Sequence, residues 1–310
     1  MRVAVLGAGT MAPGIAAAFV SAGHDVQLWA RRPESAPRAC ASAKELTRFL
    51  ADQGLAPPGA PAEGQVEVAD SLDRLAGGEF VVEAVAEDLD VKRRLLARTE
   101  DVVAAETVLA SSTSGLRVSD LADGLRHPER VVAMHFWNPA HLMPLVEVCG
   151  GRATAPETVT HAMELSRALG KQPVRLEREM LGFLAVRMQQ AVVREAIALL
   201  QENVASAEDI DLAVRTSFGI RFPVMGPLES ADLTGLDVIE SIHRYLLPDL
   251  DRSTEPQPAL RDRVAAGALG AKAAAGFYDW TSRDPQECIR RRDEELVRRL
   301  HLLDQEVTSA

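Results

Sequence analysis

Short runs of β-branched and aromatic residues recur through the first half of the chain, at 3–6, 25–29, 66–68, 80–85, 108–111 and 131–136. Between several of them the apolar positions fall at helical spacing instead, at 13–22, 34–52 and 91–104. Strands that alternate with helices in this way predict a parallel sheet covered on both faces. A further extended run at 145–148 follows the last strand after a short connection, and the Pro- and Gly-rich piece 56–64 reads as a surface loop within this half.

The pattern changes after about residue 177. From 184 to 203 the apolar residues keep helical spacing, and Ser206 followed by Asp209 is a cap for a helix over 207–216. More helical stretches flank the segment GFYDW, and 285–303 is a charged terminal helix. The expected fold class is α/β, with an N-terminal Rossmann-type doubly wound sheet over 1–177 and an all-helical domain over 178–310 for substrate binding and dimerisation. The apolar faces of the helical part lead to the expectation of a homodimer.

Composition narrows the function. A formal charge of −11 argues against a nucleic-acid surface, which needs a basic face. No apolar run approaches the roughly 20 residues that span a bilayer, so no membrane partner is expected. The opening MRVAVLGAG runs directly into a strand, so no secretory leader is expected. Cys40, Cys149 and Cys288 are widely spaced, which suits buried thiols in a reducing cytoplasm and gives no metal framework.

Gly7-Ala8-Gly9-Thr10-Met11-Ala12 stands where the first strand hands over to the first helix. Gly7 permits the tight turn and Gly9 lets the backbone approach a pyrophosphate. The helix N-terminus then offers free N–H groups to that anion. At the head of a strand–helix–strand pattern this GxGxxA loop predicts dinucleotide binding. The acid that would end the second strand and bind ribose hydroxyls is absent: the chain reads Trp29-Ala30-Arg31-Arg32. Two cations in that place favour NADP(H) slightly over NAD(H), although a solvated turn before Pro33 would look the same.

A second constellation lies further on. His135 ends one strand and Glu147 sits in the extended run that follows closely. A carboxylate beside a histidine fixes its tautomer and suits the ring to take and return the proton of a carbinol. A hydrogen-bonded structural histidine is the alternative. The stretch HFWNPAHLMPLVEV resembles the signature of the 3-hydroxyacyl-CoA dehydrogenase family, with its λ-crystallin/gulonate dehydrogenase and carnitine dehydrogenase branches. GAGTMAPGIA, VVEAVAEDLDVK, SSTSGLRVSDLA, GFLAVR and GAKAAAGFYDW are similar to the family's segments and fall in its order.

The resemblance implies a hydride transfer between NAD(P)(H) and the 3-position of a small acyl thioester or hydroxy acid. It implies His135 as general acid/base, Glu147 as its orienting carboxylate, Ser114 against the substrate oxygen and Asn138 against cofactor or substrate. Glu87 and Lys92 match contacts to the nicotinamide end, and Lys272 matches a cofactor-contacting lysine; no metal is implied. The chain departs from the pattern at Val186, where the family carries an asparagine whose amide helps hold the reacting oxygen, and at Leu181, which replaces a proline. In 35–50, where the family tends to contact CoA, the cations are Arg38, Lys44 and Arg48. A carrier-protein thioester, a free hydroxy acid, or another carbonyl or imine thus stand beside acyl-CoA as substrates, and a catalytically weak dinucleotide-binding protein is the non-enzymatic alternative.

Overall fold

The computed structural model describes residues 1–57 and 64–309, with side chains as far as 303. The expected loop over 56–64 therefore falls largely outside the described residues. The chain divides into two compact units, Met1–Val186 with Arg291–Ala310, and Arg187–Arg290.

The first unit is built on one eight-stranded sheet in the order β3-β2-β1-β4-β5-β6-β7-β8. Its strands are β1 Arg2–Leu6, β2 Asp25–Trp29, β3 Val66–Ala69, β4 Phe80–Glu83, β5 Val108–Ser111, β6 Val131–Phe136, β7 Leu145–Gly150 and β8 Gln172–Leu176. Helices α1 Ala12–Ser21, α2 Ser35–Asp52, α3 Leu89–Glu100, α4 Val118–Leu121 and α5 Pro156–Ala168 connect them. β4, β5 and β6 are buried along their whole length, as expected of strands covered on both faces. Two apolar clusters, one on each face, contain Ile15, Phe19 and Phe80 in one case and Leu6, Leu96 and Leu121 in the other.

The sheet is parallel except at one place. β7 runs antiparallel to β6, in a register that sets His135 opposite Glu147. The connection between them, residues 137–144, is too short for a crossover helix, so the chain has to turn back. Lys171 holds this connection in shape: its buried Nζ donates to the carbonyls of Ala140, His141 and Met143 at 2.9, 3.1 and 3.1 Å. Gly14 of α1 lies so close that a Cβ there would meet Ala140 and His141 at 3.1–3.2 Å. The helix behind the glycine loop is thereby packed onto the segment that carries Asn138.

The second unit is helical: α7 Ala207–Thr216, α8 Phe218–Arg221, α9 Pro227–Thr234, α10 Leu236–Leu246 and α11 Pro258–Ala265 follow α6 Ala185–Gln201, which begins in the first unit. Ser206 caps α7 as its spacing predicts, its hydroxyl accepting from Asp209 N–H at 3.1 Å. The last helix, α12 Pro285–Ser309, returns to the first unit, where Val297 packs with Leu50 and Leu142. Among the described residues no helix is long and apolar enough to cross a membrane, no cluster of metal-ligating side chains occurs, and the three cysteines are free.

Candidate active site

Glu147 is the most heavily bonded side chain near the sheet's end. Its Oε2 lies 2.8 Å from His135 Nδ1 and accepts from Trp137 Nε1 at 3.1 Å. Its Oε1 accepts from the backbone N–H groups of Leu184 and Ala185 at 2.9 and 3.0 Å. The last two belong to the start of α6, so the carboxylate sits against free helix-terminal amides. Burial alone would push this carboxyl up, but the bonds from His135, Ala185, Trp137 and Leu184 outweigh it and bring it down to about 2. Glu147 is therefore ionised at neutral pH. Against an ionised acceptor, His135 Nδ1 carries its proton and donates, which leaves Nε2 for exchange with a ligand. The ring is 7% exposed and packs against Trp137 and Phe183, each with centroids 5.6 Å away.

The turn that delivers the two amides is tight. Gly182 and Phe183 have φ of 75° and 43°. A Cβ on Gly115 would fall 2.5 Å from Gly182 N, so the loop after β5 passes directly over this turn. That loop carries Ser114, exposed, whose N–H donates to Glu87 Oε1 at 2.9 Å; the Thr113 hydroxyl donates to the same oxygen at 2.6 Å. Ser114 and Glu87 are thus joined directly, and Gly182 links their loop to the His135–Glu147 pair. Asn138 is exposed, just past β6.

Lys92 is placed differently from a surface helix charge. It is fully buried, its Nζ 2.8 Å from Glu83 Oε1 and 3.4 Å from Glu87 Oε2. Glu83, also fully buried, accepts further from Ser111 at 2.6 Å and from Val85 N–H at 2.6 Å. Lys272 is exposed in a short turn of the second unit, Ala271–Ala273.

The glycine loop opens a separate cavity of about 670 Å³ lined by Gly7, Gly9, Thr10, Met11, Ala30, Arg31, Arg32 and Ala84–Ala86, among others. Gly7 has φ of 137°, and a Cβ would strike Ala84 O at 2.5 Å. Gly9 faces open space, with nothing within 4 Å of a Cβ position. A strained glycine at the strand end and a bare one facing the cavity are the arrangement that lets backbone amides approach a pyrophosphate, so these residues fit a dinucleotide. Ala12 is buried at the start of α1, with Pro13 in the first turn. Trp137 lies within the signature stretch but without an expected role, and Arg94 and Arg98 of the cavity wall carry no motif.

The family model described as 3-hydroxyacyl-CoA dehydrogenase, NAD binding domain, matches residues 2–180, and that of the C-terminal domain matches 182–280. This chain belongs to the 3-hydroxyacyl-CoA dehydrogenase family. It is an oxidoreductase with a Rossmann-type NAD-binding domain and a helical C-terminal domain. The 3-hydroxybutyryl-CoA dehydrogenase of Clostridioides difficile is 35% identical over 90% of this chain and 99% of its own. A 5-formyl-3-hydroxy-2-methylpyridine 4-carboxylate 5-dehydrogenase from Mesorhizobium japonicum is 31% identical over 96% of both chains. A crystal structure of a dehydrogenase so named, described as an NAD+-dependent dismutase, matches with a TM-score of 0.92 at 30% identity over 98% of each chain.

Proposed function

We propose that this member of the family transfers a hydride between NAD(P)(H) and the 3-position of a small 3-hydroxyacyl thioester or 3-hydroxy acid. The observation that carries the reading is the His135–Glu147 pair at 2.8 Å, with every remaining acceptor position of Glu147 filled. His135 is the general acid/base. Through Nε2 it takes the carbinol proton in oxidation and returns it in reduction, while Glu147 stabilises the imidazolium and fixes the ring. Ser114 and Asn138 hold the reacting oxygen and the nicotinamide end, with Glu87 beside them and Lys92 acting through its contact to Glu87. The bound dinucleotide supplies the hydride chemistry; the chain supplies position and the proton relay. The free cysteines support a reducing, cytoplasmic setting.

Specific observations favour a second substrate reading, a carbonyl on an aromatic ring. Trp137 and Phe183 flank His135, and Val186 offers no amide to a thioester oxygen. The test follows cofactor absorbance with an acetoacetyl thioester, a free 3-oxo acid and a pyridine aldehyde in parallel. Turnover of the thioester or 3-oxo acid supports the first reading. Turnover of the aldehyde alone replaces it with the second. Nucleotide binding without any turnover sinks both.

The homodimer rests on exposure. None of α7–α11 has a buried residue in the single chain. Val224, Leu228, Leu233 and Leu236 are 80%, 82%, 71% and 62% exposed. So much apolar surface calls for cover, and a second copy provides it. Light scattering at micromolar concentration is expected to give twice the chain mass; a monomer overturns this.

A further inference from the structure

The glycine-loop cavity that Arg31 and Arg32 line is also lined by α3, which brings two more arginines, Arg94 and Arg98. They are four residues apart and thus lie on one face of the helix. Among the described residues none of these four guanidiniums forms an ion pair, in a chain with 45 acidic and 34 basic residues. Arg31 and Arg98 also line a second cavity of about 440 Å³, as do Trp29 and Ala30, so this pair stands where the two cavities meet. Asp70, Asp73 and Asp101 line that outer cavity without reaching ion-pair distance of the arginines.

Unpaired cations do not gather without cost, since each repels the next. An anion among them relieves that repulsion. The position identifies the anion: β2 ends at Trp29, Ala30 follows at the point from which an acid would bond the adenosine ribose, and Ala30 is buried with no side-chain acceptor to offer. Ser35, first residue of α2, adds a hydroxyl to the same wall.

We infer that Arg31 and Arg98, with Arg32, Arg94 and Ser35 around them, form a site for the 2′-phosphate of NADP(H). The inference rests on the glycine loop binding a dinucleotide, and it adds which nucleotide and which residues of α3 decide it. Two guanidiniums from different elements can grip a phosphate from two sides, which the Arg31-Arg32 turn alone cannot do.

Calorimetric titration of the whole chain with NADPH, NADH, adenosine 2′,5′-bisphosphate and adenosine 5′-monophosphate tests this without any turnover. NADPH is expected to bind about tenfold or more tightly than NADH, the weight of a charge-assisted phosphate contact. Arg31→Ala and Arg98→Ala are each expected to remove most of that advantage while NADH binding stays within about threefold, and added salt is expected to shrink it in the wild type. The bisphosphate and monophosphate are expected to differ in the same sense. Both side chains are exposed, and an unchanged unfolding midpoint checks that the variants fold. Equal affinity for the two nucleotides overturns the inference, as does an equal loss of both in the variants. An effect at Arg31 without one at Arg98 removes α3 from the site and overturns it too. Binding of neither nucleotide would instead bring down the dinucleotide reading beneath it.

Discussion

His135→Gln is expected to bind the dinucleotide with unchanged affinity and to lose about a hundredfold to ten-thousandfold in kcat, the usual weight of a positioned general acid/base. The separation follows from geometry. The glycine-loop cavity is lined by the loops that follow β1, β2 and β4 and by one face of α3, and His135 is not among its lining. Glutamine can keep the bond to Glu147 from its amide but cannot shuttle a proton at neutral pH. Glu147→Gln is the informative companion. It retains a carbonyl oxygen for some of its donors but removes the charge that the α6 amides, Trp137 and His135 converge on. Its turnover is expected to fall too, because the ring loses the anion that orients it and offsets the charge it takes up with the carbinol proton. Stopped-flow nucleotide binding beside steady-state turnover reads both. Equal loss of binding and turnover in His135→Gln would make the residue a structural part of β6.

The pair was legible because two simple signals coincide on it. A buried strand with a histidine next to its last residue is followed within a short connection by another strand, and a short connection forces antiparallel pairing that puts His135 opposite Glu147. The glycine loop was legible for a similar reason, since strand, glycines and helix follow without a gap. By contrast, α5 and β8 were missed. β8 reads Gln-Pro-Val-Arg-Leu, an edge strand with a proline and mostly exposed positions, so no apolar run marks it. The alternating pattern predicts a parallel sheet throughout, and β7 and β8 are the exceptions, parallel to each other and opposed to the other six strands. Nothing in the signature stretch assigns Trp137 a role, and only the fold shows its N–H reaching Glu147. Arg94 and Arg98 had a findable signal in their four-residue spacing, but what faces them is decided by the sheet order that brings α3 beside the β2 end.

Lys92→Met is expected to destabilise the first unit by about 3–5 kcal/mol, the cost of leaving a buried charge without its partner. Sequence spacing makes Lys92 look solvated, since a helix opening with Asp, Lys and two Arg reads as a polar surface. The fold turns it inward onto Glu83, the last residue of a strand with no exposed position. Removing the lysine leaves the Ser111 hydroxyl and the Val85 amide as the donors to a carboxylate at the sheet's centre. Two neutral donors do not replace an ammonium. The double variant Lys92→Met/Glu83→Gln is expected to recover most of the loss, because neither charge is then stranded. Denaturant midpoints of the wild type, the two single variants and the double variant supply the cycle. The same substitution connects stability to function. Glu83 anchors the Val85 amide, and Ala84–Ala86 form part of the dinucleotide cavity wall, so nucleotide affinity is expected to fall with the single change and return with the double. Stability unchanged in Lys92→Met, with nucleotide affinity lost, would mean that the ammonium serves the cofactor directly rather than the strand end.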